Sequence, residues 1–204
     1  KDRFFYVKRG IKYLLEGILY NRDNPVLLKD LGWFTGNKVG RADEHEIYRK
    51  LFKADDELHA PDVRSELRDN WLVSKDWYQQ SVSAIDDKKK SLGQMNPTTF
   101  YSNPGKSQMN YAEAIEEEGT YGERARQAWA AGGRMWREYG RRTMMSSIGV
   151  PIVLEEEDKW KAEEQRLDAE LEAMAPGLRD TMIAEGKASI TPEEKKALDK
   201  TGEL

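Results

Sequence analysis

From Phe4 to Tyr20 the apolar residues Val7, Ile11, Leu14 and Ile18 recur in steps of four and three, the spacing of one face of a helix. Asn21-Arg-Asp-Asn-Pro25 stops that helix, and Pro25 suits the first turn of the next, where a missing N–H costs nothing. Leu28, Leu31, Trp33 and Phe34 supply the second helix's apolar residues, and Gly36 and Gly40 are expected to break it. Two antiparallel helices joined by a short turn follow. A third helix is predicted from Asp43 to Leu58, with Ile47, Leu51 and Ala54 on one face and Pro61 closing it. Asp43 and Glu44 suit its positive N-terminal end. A fourth covers Trp71, Tyr78, Val82 and Ile85 and ends in the charge run Asp86-Asp-Lys-Lys-Lys90, which reads as a solvated terminus.

The second half is less regular. Residues 91 to 106 hold Gly93, Asn96-Pro97 and Asn103-Pro104-Gly105, so they read as a long loop, pinned to its own domain by the rings of Phe100 and Tyr101. A helix ending at Glu113 to Glu118 then forms a hairpin with one from Tyr121 to Arg142, where Ala125, Trp129, Gly132, Trp136 and Tyr139 alternate steps of four and three. Val150-Pro-Ile-Val-Leu154 is the one β-like run, an extended connector or an edge because of Pro151 and the lack of an obvious partner strand. Residues 155 to 174 form a helix with Trp160, Leu167, Leu171 and Met174 on a narrow stripe, among nine acids and three bases. Such a stripe wants a partner surface. Pro176-Gly177 ends it, and Thr191-Pro-Glu-Glu194 has the capping-box arrangement of a last short helix. The weakly apolar, highly charged composition from residue 155 onward predicts a segment that is mobile on its own.

Composition narrows the function classes. Hydrophobic residues make up 38% of the 204 and charged residues 34%, enough for a thin core with two wet faces rather than a large enzyme core. The net charge of −4 supplies no global field for nucleic acid or anionic lipid. Cysteine is absent, which excludes disulfides, thiolate metal sites and cysteine nucleophiles. No run approaches the roughly 20 apolar residues that span a bilayer. The chain starts at Lys1 and enters a helical pattern almost at once, so the expectation is a fragment or processed form of a longer protein.

Gly10-Ile-Lys-Tyr-Leu-Leu-Glu-Gly17, the stop at Pro25, and Leu28 with Leu31-Gly32-Trp33 resemble a tetratricopeptide junction, in which small residues seven apart let the second helix pack closely. Arg22 stands where that repeat usually has proline. The wider run through Asp30-Leu-Gly-Trp-Phe34, Lys38-Val-Gly-Arg-Ala-Asp-Glu44 and Tyr48-Arg-Lys-Leu-Phe-Lys53 is similar to a group of large planctomycete proteins of unknown function. The resemblance implies a bacterial helical scaffold whose parent carries a membrane anchor, and it carries no catalytic residues.

Candidate chemistry is sparse. His45 lies among Asp43, Glu44 and Glu46, and His59 among Asp55, Asp56, Glu57 and Asp62. A zinc protease helix would need a second histidine four residues after His45, where Arg49 stands. Glu44, His45, His59 and Asp62 remain a rival set for a carboxylate and histidine metal enzyme, against the plainer reading of a polar helix start and a polar loop. Gly36-Asn-Lys-Val-Gly40 lacks the lysine-serine or lysine-threonine ending of a phosphate loop, and neither histidine lies in a nucleophile motif. Arg124, Arg126, Arg134, Arg137, Arg141 and Arg142 face only Glu123 and Glu138 in their helix, a local basic surface. Nucleic acid is disfavoured there, because Trp129 and Trp136 share the apolar face and are expected to be buried, and neighbouring acids cancel the field.

The sequence thus predicts an all-α fold of antiparallel helical hairpins of tetratricopeptide type, with a long loop around 91–106 and a C-terminal helical extension. The expected segments are 1–60, 61–150 and 151–204. The expected function is a non-catalytic protein-interaction scaffold or a subunit of a larger assembly, with no cofactor and no metal. A groove near Trp33, Trp129, Arg134 and Arg137 is expected to receive a peptide or partner subunit.

Overall fold

In the computed structural model, residues 2–146, 149–189 and 191 are described, and among them the chain is all-α apart from one two-residue ladder. It divides into an N-terminal unit, Lys1–Leu154, and a C-terminal unit, Glu155–Leu204. In the first unit the helices are α1 (Asp2–Tyr20), α2 (Pro25–Trp33), α3 (His45–Ala54), α4 (Asn70–Asp86), α5 (Pro97–Glu117) and α6 (Glu123–Arg141). α1 packs on α2, α2 along α4, α4 along α5 and α5 along α6, so α4 lies in the middle.

The stripe Val7, Ile11, Leu14 and Ile18 belongs to one hydrophobic cluster with Leu31, Val39, Tyr48 and Phe52. A second cluster joins Trp71 and Leu72 of α4 to Tyr111 and Ile115 of α5 and Ala128 of α6. The core is therefore shared out between successive helices, as the low apolar content requires. At the start of α2 the Asn24 side chain accepts hydrogen bonds from the N–H groups of Val26 and Leu27 at 3.0 and 3.2 Å, two donors that the helix cannot satisfy itself. Of the paired small residues on α1, a Cβ at Gly10 would lie 2.6 Å from Phe34, whereas at Gly17 it would meet nothing within 4 Å.

Several expectations are corrected. Gly36 and Gly40 do not break α2, because Phe34–Lys38 continues it as a π-helical turn and the chain stays helical to residue 40. Both glycines lie against α4, where a Cβ would collide with Trp71. α3 is shorter than predicted and buries Tyr48, Arg49 and Phe52, leaving Ile47 and Ala54 exposed. Its buried face is set by an ion cluster around Arg49, which apolar periodicity does not register.

The expected loop at 91–106 is half helix. α5 begins at Pro97 and runs through Asn103-Pro104-Gly105 without interruption. Asn96 is its N-cap, accepting from Thr99 N at 3.1 Å, with proline next to it in the first turn. Pro104 removes one hydrogen bond, but Phe100, Pro104, Ser107 and Gln108 are buried against neighbouring helices, and that packing overrides the local breaker. Asn96→Ala should cost about 1 kcal/mol and lower the melting temperature of a domain this size by about 3 °C, measured by circular dichroism at 222 nm.

α4 reaches α2 through small polar side chains that donate to backbone carbonyls. Ser81 Oγ bonds Pro25 O at 2.6 Å, Ser74 Oγ bonds Gly32 O at 2.7 Å, and Asn70 Nδ2 bonds Gly36 O at 3.1 Å. Gly32 permits this approach, since a Cβ there would lie 3.1 Å from Ser74 O. On α6 the buried positions are Ala125, Ala128 and Gly132, while Trp129 is 38% exposed and Trp136 half-buried, so these tryptophans are not core residues as expected. Val150–Leu154 does have a partner: Pro151–Ile152 pairs antiparallel with Met144–Met145, Met144 opposite Ile152.

The C-terminal unit holds α7 (Glu157–Met174) and α8 (Leu178–Ser189), turning at Gly177, whose φ of +72° favours glycine. Arg179 ties the two helices through Asp168 at 3.2 Å. No residue of α7 is buried, and Leu171, Met174, Leu178 and Met182 line an open cleft of about 750 Å³. The helix expected at Thr191-Pro-Glu-Glu194 lies outside the described residues beyond Thr191 itself.

Candidate functional site

Three adjoining cavities run along the N-terminal unit and share their walls. The first, about 440 Å³, has Trp33, Asn37 and Arg41 on one side, Asn103 and Lys106 of α5 on the other, and Trp71 of α4 between them. The second, about 290 Å³, shares Arg41, Trp71 and Asn110 with the first, and the third, about 480 Å³, shares His45, Arg49 and Glu117 with the second. Together they make a furrow whose long wall is α5, with Trp71 of α4 as the floor of the first two cavities and α3 lining the third.

That wall has a regular composition. Thr99, Asn103, Lys106, Asn110, Glu113 and Glu117 follow one another in steps of four and three, so they form one line along α5. At about 1.5 Å per residue the line is about 27 Å long. Asn103 and Asn110 are half-buried and the other four exposed. The opposite wall comes from Trp33, Asn37 and Arg41 at steps of four, a consequence of the helix continuing through Gly36 instead of stopping there.

The floor is fixed by close packing. Trp71 is 4% exposed, and its ring sits against Gly36 and Gly40, where any Cβ would fall within 3 Å of it. Arg41 lies over the Trp71 ring at 5.7 Å and donates to Asn110 Oδ1 at 3.0 Å, so it spans the furrow from wall to wall. Asn37 Nδ2 donates to Trp33 O at 3.1 Å, which orients its carbonyl oxygen away from its own helix turn. Burial, with a smaller contribution from the charge of Asp30, pushes the Tyr78 hydroxyl well above its usual range, so it stays a neutral donor.

Charge along the furrow is uneven. The charged residues of the first cavity are Arg41 and Lys106, with no acid among its lining. At the far end Arg49 and Glu118 are already engaged. Arg49 bonds Asp69 Oδ2 and Glu118 Oε1 at 2.8 Å and Asn70 Oδ1 at 2.7 Å, and Lys53 bonds Asp69 and Glu118 at 3.1 and 2.8 Å. That cluster balances two bases against two acids. The remaining charged lining residues there are Glu46, Glu113 and Glu117 against Lys50 and Arg41, the last shared with the first cavity.

Of the residues expected to form a binding groove, Trp33 lines the furrow, while Trp129, Arg134 and Arg137 occupy exposed positions on α6 and do not line it. α6 contributes Trp136 instead. The basic surface expected on α6 is partly neutralised, because Arg126 pairs with Glu123 and Arg142 with Asp86, while Arg124 is held by the neutral Tyr111 hydroxyl and keeps its charge. The loop expected at 91–106 hides the first half of the α5 line, whose signal in the sequence is polar residues in steps of four and three.

The rival metal set is not brought together. His45 Nδ1 bonds Ala42 O at 3.0 Å, and His59 Nε2 donates to Phe52 O at 2.8 Å with its ring edge-on to Phe52. Burial, opposed by the Phe52 hydrogen bond, holds His59 below its usual pKa. Among the described residues no three histidine, aspartate or glutamate side chains converge as metal ligands. No described helix is long and apolar enough to cross a membrane.

No family model matches this chain, nor does any curated protein or solved structure. The furrow's own chemistry is therefore what speaks for function.

Proposed function

We propose that the N-terminal unit is a non-catalytic interaction module, a helix-pair array of tetratricopeptide type, whose furrow takes an extended peptide segment of a partner protein. One observation carries this reading: the line of carboxamide and charged side chains along α5, facing Asn37 and Arg41 across a tryptophan floor. A carboxamide both donates and accepts, which matches the alternating C=O and N–H of an extended chain. A bound helix would offer no such groups, because its backbone is already paired internally. At about 3.3 Å per residue a furrow of about 27 Å holds roughly eight residues.

The test is selection of a displayed octapeptide library on the immobilised full chain, followed by titration of the recovered peptides. Dissociation constants on the order of 1–100 μM are expected, with a loss of about tenfold for Asn103→Ala and again for Asn110→Ala, each removing one hydrogen-bonding group. Failure to enrich any peptide over an Asn103→Trp variant that fills the first cavity would sink the reading.

A further inference from the structure

The furrow has two electrical poles, and they constrain its occupant further. Resting on the peptide reading above, we propose that the partner segment is zwitterionic with its charges segregated: acidic residues at one end, seated by Arg41 and Lys106, and basic residues at the other, seated by Glu113 and Glu117.

The argument begins with what each pole has left to offer. At the first, two cations stand beside Trp33 and Trp136 with no acid in the lining. Arg41 gives its hydrogen bond to the neutral Asn110 and lines the second cavity as well, so Lys106 is the cation that belongs to the first pole alone. A carboxylate arriving there would gain a charge-assisted bond without displacing an existing ion pair. An apolar or aromatic side chain beside it would cover Trp33, which is 48% exposed.

At the second pole the buried cluster of Arg49, Lys53, Asp69 and Glu118 is internally neutral. What it leaves is three acids, Glu46, Glu113 and Glu117, against Lys50 and the Arg41 that it shares with the first pole, an excess of one negative charge. A lysine or arginine of the occupant fits there, whereas an acid would be repelled.

The spacing between poles sets the spacing in the ligand. Lys106 and Glu117 are eleven positions apart on one helix, about 16 Å at 1.5 Å per residue. An extended chain covers that distance in about five residues. A uniformly acidic or uniformly basic peptide would satisfy one pole and be opposed at the other, and an alternating one would gain little at either. Because an extended peptide can run either way along the furrow, segregation of charge is the determinant, and chain direction is not.

The experiment uses synthetic octapeptides built on a core recovered by selection on the full chain. Two share one composition: glutamates at one end and lysines at the other, or the same residues alternated. The segregated peptide should bind at least fivefold tighter. Lys106→Glu should weaken it about fivefold and weaken by less a peptide whose acidic end is replaced by serine, and Glu117→Lys should do the same for the basic end. Equal binding of the segregated and alternated peptides overturns the inference while leaving the peptide reading intact. Equal weakening of every peptide by Lys106→Glu also overturns it. If no peptide binds in any form, the peptide reading falls and takes this inference with it.

Discussion

Arg49→Met should cost the N-terminal unit about 3–5 kcal/mol, the usual penalty for removing one member of a buried ion cluster. Arg49 is 2% exposed and its guanidinium meets Asp69, Asn70 and Glu118 from three directions, joining α3 to the start of α4 and the end of α5. Asp69 is equally dry and doubles as the N-cap of α4, accepting from Trp71 N at 2.9 Å. Methionine fills the volume and leaves that carboxylate with the Trp71 N–H and with Lys53 as its one cation. Urea unfolding followed by circular dichroism measures the loss. A triple variant that adds Asp69→Asn and Glu118→Gln should recover part of it, because the buried Asp69 charge is then gone with its partner and Lys53, 29% exposed, stays hydrated. A single variant within 1 kcal/mol of the parent would mean that water enters the cluster.

The same cluster gives a pH signature. Burial pushes the Glu118 carboxyl up, but its hydrogen bonds to Arg49 and Lys53 outweigh that and hold it below its usual value. A lowered carboxylate contributes stability above its ordinary pKa and loses it as pH falls through the folded-state value. The gap between parent and Arg49→Met should therefore narrow as the solution is acidified below the ordinary glutamate range.

How much of this was legible follows from which forces hold each element. α1 is fastened by an apolar stripe, and its four positions could be read directly from the sequence. α3 is fastened by Tyr48 and Phe52 together with the buried charge of Arg49, a position that apolar periodicity does not register, so of the predicted face Ile47, Leu51 and Ala54 only Leu51 packs against the core. α5 begins with Asn-Pro, a sound helix start, yet Asn103-Pro104-Gly105 looked like a second turn; only the burial of Phe100, Ser107 and Gln108 keeps it helical. The furrow depended on both of these elements. Its walls are a continued α2 and an uninterrupted α5, and reading breaks at Gly36, Gly40 and Pro104 erased it. Trp33, expected as an apolar residue of the second helix and as part of a groove, is 48% exposed and lines the furrow.

Gly40→Ala should destabilise the N-terminal unit by about 2 kcal/mol, the balance of two opposed effects. Alanine is favoured over glycine inside a helix by about 1 kcal/mol, and this position is helical. Against that, its Cβ would lie 2.4 and 2.6 Å from Trp71 Cζ2 and Cε2 and 2.7 Å from Asn70 Nδ2. Overpacking of this kind costs about 1–3 kcal/mol and often more when the neighbour cannot move. Trp71 has little freedom: it is 4% exposed, packs in the cluster with Tyr111 and Ile115, and touches Gly36 on the same side. Asn70 is pinned by Arg49 and Gly36 O. The control is Gly17→Ala in α1, where nothing lies within 4 Å and only the helix preference acts, so that variant should be more stable than the parent. Thermal unfolding of both should give shifts of opposite sign. Because Trp71 is the floor of the furrow, Gly40→Ala should also weaken peptide binding under conditions where the variant is still fully folded, and Gly17→Ala should leave binding unchanged. Stabilisation by both substitutions would show that Trp71 can move aside, and the furrow would then have no fixed floor on which to build specificity.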